Sequence, residues 1–191
     1  MRIVGILLAA GRGSRFGGPK LLAPLADGTP LGVAAARNLC AAVPEVVAVV
    51  HPADRELAQA LTVAGARVVV CAEAEAGMGV SLAAGVGAAA DADSWVIALA
   101  DMPYIGVDSI DLLVRALADG AALVAPCYRG QRGHPVGFSA EFGPALRALQ
   151  GDRGARDLLA RHADRLQCLE VDDPGILRDV DTPADLVMTT R

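Results

Sequence analysis

The first apolar run of the sequence is followed directly by a segment rich in glycine and positive charge. Residues 8–20 read LAAGRGSRFGGPK, with four glycines, two arginines, one lysine and no acidic residue. Glycine lets backbone N–H groups approach an anion closely and form a concave phosphate site. Arg12 and Arg15 can bridge two phosphate oxygens, whereas Lys20 supplies a point charge. The segment is typical of a phosphate-binding loop, and a solvated surface loop is the alternative.

Two common phosphate-binding patterns do not fit this segment. A P-loop requires GxxxxGK[ST], but here Pro19 separates the glycine pair from the lysine and no hydroxyl residue follows. A dinucleotide-binding turn requires GxGxxG, but Phe16 stands at the third glycine position. The acidic residue expected after the second strand, EVVAVV, is also missing. A phosphate site in this segment would therefore follow a different pattern.

Two aspartates are candidate metal ligands. Asp101 directly follows the apolar run SWVIALA, where a carboxylate is costly unless it is paired or binds a cation. Mg²⁺ binds through one or two carboxylates together with substrate phosphates. Asp181, or Asp179, in DVDTP is the candidate for a second carboxylate. Each has an alternative as a helix cap, which is stronger for Asp181 because Pro183 follows it.

Further polar residues lie in glycine-containing runs. Ser81 in GMGVS could contact a base or ribose, and Gly79 would allow close approach, although a helix start is the alternative. His134 in RGHPVGFS follows a glycine and precedes a proline, which favours a turn that binds a second substrate. Arg153 and Arg156 could contact an anionic acceptor, against the alternative of solvated helix charges.

Apolar runs alternate with segments of helical spacing along most of the chain. The predicted strands are Ile3–Leu8, Glu45–Val50, Arg67–Cys71, Ser94–Ala100, Ala122–Ala125, Pro135–Ser139 and Gln167–Val171. The predicted helices are Thr29–Val43, Ala53–Ala64, Met78–Ala90, Asp108–Ala118, Ala140–Leu149, Gly154–His162 and one that begins at Pro183. This alternation indicates βαβ units, hence an α/β fold with three layers (α/β/α) around a mostly parallel, Rossmann-like sheet. We expect one domain over residues 1–191.

Ligands of open parallel sheets bind outside the carboxyl ends of the strands. Three unusual segments fall at such ends: Ala9–Lys20, Cys71–Ser81 and the Asp101-Met102-Pro103 turn. We therefore expect these segments to meet at one edge of the sheet.

The composition of the chain limits the kinds of partner and environment that we expect for it. The net charge is −5 with no Lys/Arg block, which argues against nucleic-acid binding. No apolar stretch reaches the length of a membrane span. The four cysteines are far apart and no CxxC occurs, so we expect reduced thiols in a cytoplasmic protein.

The opening segment fits the pattern LAAGxGxRxGxxK and resembles the nucleotidyltransferases that activate sugars, sugar alcohols and cofactors with NTPs. The runs GMGVSLAAGV, ALADMP, RGHPVGFS, DRGARDLL and DVDTPADL resemble the molybdenum-cofactor nucleotidyltransferases (MobA-like NTP transferases), particularly the cytidylyltransferase branch. These runs follow one another in order over residues 3–187. The resemblance implies the nucleotide-diphospho-sugar transferase fold.

The same resemblance implies a reaction, in which a phosphate attacks the α-phosphorus of an NTP and pyrophosphate leaves. Backbone amides near Gly11 and Gly13 would hold the β- and γ-phosphates. Arg15 would neutralise the leaving pyrophosphate, Lys20 would contact the α-phosphate, and Asp101 with Asp181 would hold Mg²⁺. The nucleotide-binding segment also includes Leu8, Ala9 and Ala10.

The nucleotide and the acceptor are expectations from family likeness. LAAG in place of LAGG at Leu8–Gly11 resembles the cytidine-using branch. The methyl group of Ala10 would narrow the pocket floor, which disfavours a purine. CTP is therefore the expected nucleotide. Molybdopterin is the expected phosphorylated acceptor, with His134 in its pocket, and a molybdenum hydroxylase is a candidate partner.

Three other functions compete with this interpretation. The first is an NDP-sugar or CDP-alcohol pyrophosphorylase, which the runs RGHPVGFS and DRGARDLL disfavour. The second is a non-catalytic accessory protein that delivers molybdenum cofactor, and pyrophosphate release would exclude it. The third is an NAD(P)-dependent oxidoreductase, which the broken dinucleotide pattern disfavours.

Overall fold

The structure, a computed structural model, describes residues 1–11 and 16–187. The strands within these ranges are β1 Ile3–Ala9, β2 Glu45–Val50, β3 Arg67–Val70, β4 Ser94–Leu99, β5 Leu123–Tyr128, β6 Gln131–Arg132, β7 Val136–Ser139 and β8 Leu166–Glu170. They form one sheet in the order β3-β2-β1-β4-β7-β5-β6, and β8 pairs with β5. The predicted strands are thus all present, and the short β6 is an addition.

The helices of the described ranges are α1 Leu31–Ala42, α2 Arg55–Val63, α3 Met78–Ala88, α4 Val107–Ala118, α5 Gly143–Arg147, α6 Arg156–Arg161 and α7 Pro183–Val187. Short 3-10 turns lie between the strands and helices, including one at Lys20–Leu22 that precedes α1. Among these helices, none has the length and apolar character that a membrane crossing requires.

Two hydrophobic cores lie on opposite faces of the sheet. Successive residues of β1 point to opposite sides, so that Leu7 belongs to one core and Ile6 to the other. The core around Leu7 contains side chains of α1, α2 and α4, whereas the core around Ile6 contains those of α3, α5 and α6. Strands buried on both faces are apolar throughout, which explains runs such as EVVAVV. The predicted three-layer α/β/α architecture is confirmed.

The sheet is parallel over β3, β2, β1 and β4 and mixed beyond them. β7 runs antiparallel to both β4 and β5, whereas β5 and β8 are parallel. β5 also continues through Pro126 to Tyr128, whereas the strand predicted from the sequence ends at Ala125. The continuation is possible because the Pro126 carbonyl accepts a hydrogen bond from Gly133 N–H at 2.9 Å, while Pro126 pairs in register with Leu169.

The expectation of four reduced cysteines is wrong for two of them. Cys127 and Cys168 form a disulfide, with Cα atoms 5.7 Å apart, whereas Cys40 and Cys71 are free. The two bonded residues are 41 positions apart, and only the parallel pairing of β5 with β8 brings them together. Spacing along the chain could not reveal this pair. The expected cytoplasmic location stays a prediction.

Two glycines of α3 provide a matched test of the packing between this helix and the sheet. A Cβ at Gly85 would lie 2.6 Å from Ile6 Cγ2 and 2.8 Å from Val49 Cγ2, whereas Gly87 has nothing within 4 Å. We expect Gly85→Ala to lower the free energy of unfolding by about 1 to 3 kcal/mol, because the core is overpacked. Gly87→Ala should leave it unchanged or raise it by about 0.5 to 1 kcal/mol through helix propensity.

Urea unfolding of both variants measures these changes. Equal effects of the two substitutions would contradict the close approach of α3 to β1 and β2.

Candidate active site

A cavity of about 420 Å³ opens where β1 and β4 end. The two strands pair in parallel up to Leu8 and Leu99, and Ala100 N–H donates to the Leu8 carbonyl at 3.1 Å just beyond. The strand ends are thereby held side by side, which places Asp101 next to the opening segment. The predicted site residues that line the cavity are Leu8, Ala10, Gly11, Lys20, Ser81, Asp101 and Asp181. The three segments expected at one edge of the sheet therefore do meet there.

Lys20 lies between two carboxylates on the wall of this cavity. Its Nζ donates to Asp101 Oδ2 at 2.9 Å and to Asp181 Oδ1 at 3.1 Å. The Lys20 side chain is 10% exposed, against 28% for Asp101 and 44% for Asp181. Burial by itself lowers the pKa of Lys20, but the hydrogen bonds and charges of the two aspartates outweigh it, so the pKa lies above its ordinary value. The ammonium group is charged at neutral pH.

Backbone contacts bring Asp181 to the cavity. Val180 is fully buried, and its N–H donates to the Asp101 carbonyl at 2.9 Å. The start of α7 is capped from within, because Asp185 Oδ2 accepts from the Asp181 and Thr182 N–H groups and from the Thr182 hydroxyl. The Asp181 carboxylate therefore faces Lys20 rather than capping the helix. Asp179, the alternative second ligand, is exposed.

Asp101 does not cap a helix either. The next helix, α4, begins six residues later at Val107. Asp173 supplies the acceptor there, since its Oδ2 receives hydrogen bonds from Gly106 N–H at 2.8 Å and Ser109 Oγ at 2.7 Å. The carboxylate of Asp101 instead accepts a hydrogen bond from Lys20, which also donates to Asp181.

The two carboxylates fit a divalent cation that also binds phosphate. Asp101 and Asp181 already converge on one positive centre, the ammonium of Lys20. Within the described ranges, no group of three or more His, Cys, Asp or Glu side chains could hold a metal by itself. A cation at Asp101 and Asp181 would need further oxygen ligands, which a triphosphate can supply.

The start of α3 receives a loop from the C-terminal half of the chain. Gly79 N–H donates to the Gly151 carbonyl at 2.7 Å, and a Cβ at Gly79 would lie 2.7 Å from the Gln150 carbonyl oxygen. Gly77, at φ +118°, would likewise meet the Gly151 backbone. Glycine is required at both positions because any side chain would collide with the backbone of this loop. The assignment of Gly79 to nucleotide binding stays a prediction, and the residue is not among those that line the cavity.

The docked loop carries a site residue that the sequence analysis did not identify. Asp152 lines the cavity together with Met78 and Ser81 of α3. Its carboxylate makes no hydrogen bond or salt bridge with the described residues. The run DRGARDLL was noted for its two arginines, but Arg153 pairs with Asp157 at 3.2 Å on the surface. No pattern in this run indicated that its first aspartate would line the cavity.

His134 lies near the acidic wall but does not line the cavity. Its backbone N–H donates to the Ile176 carbonyl at 2.9 Å, while its ring Nδ1 is buried and has no hydrogen-bond partner within the described ranges. Burial chiefly lowers the pKa of His134, the charge of Arg132 lowers it further, and these effects outweigh Asp101 and Asp179, which raise it. The imidazole is therefore neutral at neutral pH, and its assignment to the acceptor pocket stays a prediction.

The remaining predicted residues are Ala9, Arg12, Gly13 and Arg15. Arg12, Gly13 and Arg15 lie outside the described residues. Ala9 is 1% exposed and packs into the core beneath the cavity. Their assignments to phosphate and nucleotide binding stay predictions.

The buried imidazole of His134 makes stability depend on pH. Because the pKa in the folded protein lies below its ordinary value of 6.5, the unfolded chain binds the proton more tightly. This contribution to stability is fully present above pH 6.5 and is lost as the pH falls through the folded-state value. We expect the free energy of unfolding to fall between about pH 7.5 and about pH 5.5, and to fall less in His134→Gln. Urea unfolding at the two pH values tests this, and an equal loss in both proteins would contradict it.

Comparison with known proteins places the chain in a family. Residues 5–166 match the family described as the MobA-like NTP transferase domain. The purine catabolism protein PucB of Bacillus subtilis is 34% identical over 99% of this chain and 96% of its own length. Nicotine blue oxidoreductase of Paenarthrobacter nicotinovorans is 32% identical over 94% of this chain and 92% of its own length.

Solved structures agree with this placement. Rv0371c of Mycobacterium tuberculosis, in complex with manganese, has a TM-score of 0.79 and 27% identity, with 100% of both chains covered. A nucleotidyl transferase from Methanothermobacter, Mth528, has a TM-score of 0.83 and 25% identity, over 97% of this chain and 94% of its own. The predicted Rossmann-like nucleotide-diphospho-sugar transferase fold is confirmed. The chain belongs to the MobA-like NTP transferases, a family of nucleotidyltransferases.

Proposed function

We propose that this protein is a Mg²⁺-dependent nucleotidyltransferase that moves CMP from CTP onto a phosphorylated acceptor of the molybdopterin class. The observation that carries the proposal is the position of Lys20, held between Asp101 and Asp181 where the glycine-rich opening segment meets the end of β4. A largely buried cation and two carboxylates beside a segment that resembles a phosphate-binding loop are parts that phosphoryl transfer uses.

The reaction itself needs little acid–base chemistry. An oxygen of the acceptor phosphate attacks the α-phosphorus, and the bond from the α-phosphorus to the oxygen that bridges to the β-phosphate breaks. Pyrophosphate leaves with that electron pair. The attacking phosphate is already ionised, so no general base is required. Catalysis therefore rests on positioning and on stabilising negative charge.

The chain supplies groups for each of these tasks. Lys20 would neutralise charge on the α-phosphate, and Arg15 would do so on the departing pyrophosphate. Asp101 and Asp181 would hold Mg²⁺, which would supply positive charge to the phosphate oxygens. The manganese complex of Rv0371c supports a divalent cation in this family.

Two features of the cavity favour cytosine over other bases. The methyl group of Ala10 lines the cavity where a glycine would leave more room, which disfavours the larger purines. Asp152 presents a carboxylate on the wall formed with Ser81, and a carboxylate only accepts hydrogen bonds. Cytosine offers an amino group at its pairing edge and uracil a carbonyl oxygen. The negative charge of Asp152 would also repel the triphosphate, so the nucleoside lies at this end.

The acceptor proposal rests on family likeness and on His134. His134 stands in RGHPVGFS, one of the runs that carry this likeness, and it is close enough to the acidic wall for the charge of Asp101 to act on its imidazole. Molybdopterin, with delivery to a molybdenum hydroxylase in the cytoplasm, follows from the resemblance of RGHPVGFS and DRGARDLL to the cofactor-modifying branch.

An oxidoreductase is the second candidate, because one relative at 32% identity is named nicotine blue oxidoreductase. The opening segment lacks the third glycine of the dinucleotide pattern, which disfavours it. An absorbance change of NADH with a quinonoid acceptor, without pyrophosphate release, would establish it instead. Nucleotide binding without either reaction would favour an accessory protein.

Removal of the carboxylate at the end of β4 tests the catalytic proposal. We expect Asp101→Ala to reduce Mg²⁺-dependent pyrophosphate release from CTP and molybdopterin by about a hundredfold or more, because charge stabilisation is lost. Asp164 is an exposed aspartate just before β8, so Asp164→Ala is the matched control and should retain activity. Thermal melts of both variants report on folding. Pyrophosphate release from Asp101→Ala at the wild-type rate would remove Asp101 from the mechanism.

Calorimetric titration with CTP, UTP, GTP and ATP in the presence of Mg²⁺ tests nucleotide choice. We expect the wild type to prefer CTP, and Asp152→Ala to weaken CTP binding about tenfold while changing UTP binding little, since one charged hydrogen bond is lost. Asp164→Ala again serves as control. Comparable affinities for CTP and GTP in the wild type would refute the choice of CTP. Equal losses for CTP and UTP would place Asp152 at the ribose.

A further inference from the structure

Lys20 holds the position between the two carboxylates that a divalent cation would use. Its Nζ is within hydrogen-bond distance of one oxygen of each, at 2.9 Å from Asp101 and 3.1 Å from Asp181. The ammonium is the more buried partner, at 10% exposure, while both carboxylates face the cavity. The charge of Lys20 is thus already placed between the two negative charges.

A divalent cation cannot share this position at little cost. A dication bound to Asp101 and Asp181 would lie within a few ångströms of the ammonium, and at such separations the repulsion of three positive charges is substantial even in water. The partial burial of Lys20 reduces screening by solvent and salt. The cation and Lys20 therefore compete for the same pair of carboxylates.

We propose that Lys20 blocks the cation site until a nucleotide draws its ammonium away, so that the divalent cation enters only together with the triphosphate. This inference rests on the proposed function, because it uses the same carboxylate pair and gives Lys20 a phosphate as its second partner. The α-phosphate supplies the negative charge that Lys20 needs on leaving Asp101 and Asp181. The phosphate oxygens also supply the ligands that two carboxylates alone do not provide.

Coupling of this kind is reciprocal. If the triphosphate opens the cation site, the cation must strengthen triphosphate binding by the same factor. The protein would then bind little free divalent cation and little metal-free nucleotide, and would select the metal–nucleotide complex. Lys20 acts here as a positioning residue, in addition to its contact with the α-phosphate.

Binding of Mn²⁺ to the protein without nucleotide tests the proposal. The loss of the free-ion signal in electron paramagnetic resonance measures bound Mn²⁺ without any turnover. We expect Lys20→Met, which keeps most of the length of the side chain and removes its charge, to bind Mn²⁺ at least tenfold more tightly than the wild type, as an order of magnitude. Lys20→Arg keeps the charge and should bind Mn²⁺ as weakly as the wild type.

A double variant locates the gained binding. Addition of Asp101→Asn to Lys20→Met should abolish the gain, because one carboxylate of the pair is removed. Lys20→Gln provides a second neutral variant should Lys20→Met fail to fold, with folding monitored by thermal melts. The proposal is overturned if the neutral variants bind Mn²⁺ no more tightly than the wild type, or if the gain survives Asp101→Asn.

The same data separate this proposal from the proposed function. Tighter Mn²⁺ binding by Lys20→Met supports the block at the carboxylate pair even in a protein that releases no pyrophosphate. Conversely, a wild type that transfers CMP while Lys20→Met shows no gain in Mn²⁺ binding retains its function and loses the block.

Discussion

The parallel pairing of β1 with β4 is the constraint on which the site depends. The register Leu8↔Leu99 ends both strands at the same level, and the hydrogen bond from Ala100 N–H to the Leu8 carbonyl extends the pairing by one residue. The glycine-rich segment and Asp101 therefore leave the sheet side by side. A slip of one residue would exchange the two faces of a strand that is buried on both sides, so core packing fixes the register. The positions of Asp101 and of the opening segment at the cavity follow from the same packing.

The remaining groups come from distant parts of the chain and depend on contacts with this pair of strands. Val180 is buried and bonded to the Asp101 carbonyl, which brings Asp181 within reach of Lys20. The segment that leads to Val180 is itself held by close backbone approach, since a Cβ at Gly133 would lie 2.3 Å from the Ile176 carbonyl oxygen. The charge cluster thus joins three segments that are far apart in the chain, since Lys20 is 81 residues from Asp101 and 161 residues from Asp181.

Glycine has two different uses around the cavity, although the residue type is the same. Gly11 is exposed at the end of the opening segment and lines the cavity, as expected of a residue that lets a ligand approach. Gly79 instead lets the backbone of Gln150 and Gly151 approach α3. The loop that packs against Gly79 in this way places Asp152 on the cavity wall. These two glycines both allow another group to come close to the backbone. Only the tertiary structure distinguishes a glycine that faces the cavity from one that contacts another segment of the chain.

Most of the architecture was determined by the sequence alone. Apolar runs such as EVVAVV and SWVIALA can be buried only as central strands, so their alternation with helical segments determined the three layers, and strand polarity determined the edge at which Lys20 and Asp101 meet. The tertiary structure decided what depends on contacts between distant segments. These are the antiparallel course of β7, the disulfide between Cys127 and Cys168, the contact of Asp181 with Lys20, and the presence of Asp152 in the cavity. The reason is physical: periodicity and burial are encoded locally along the chain, whereas pairing partners are selected by packing of the whole fold.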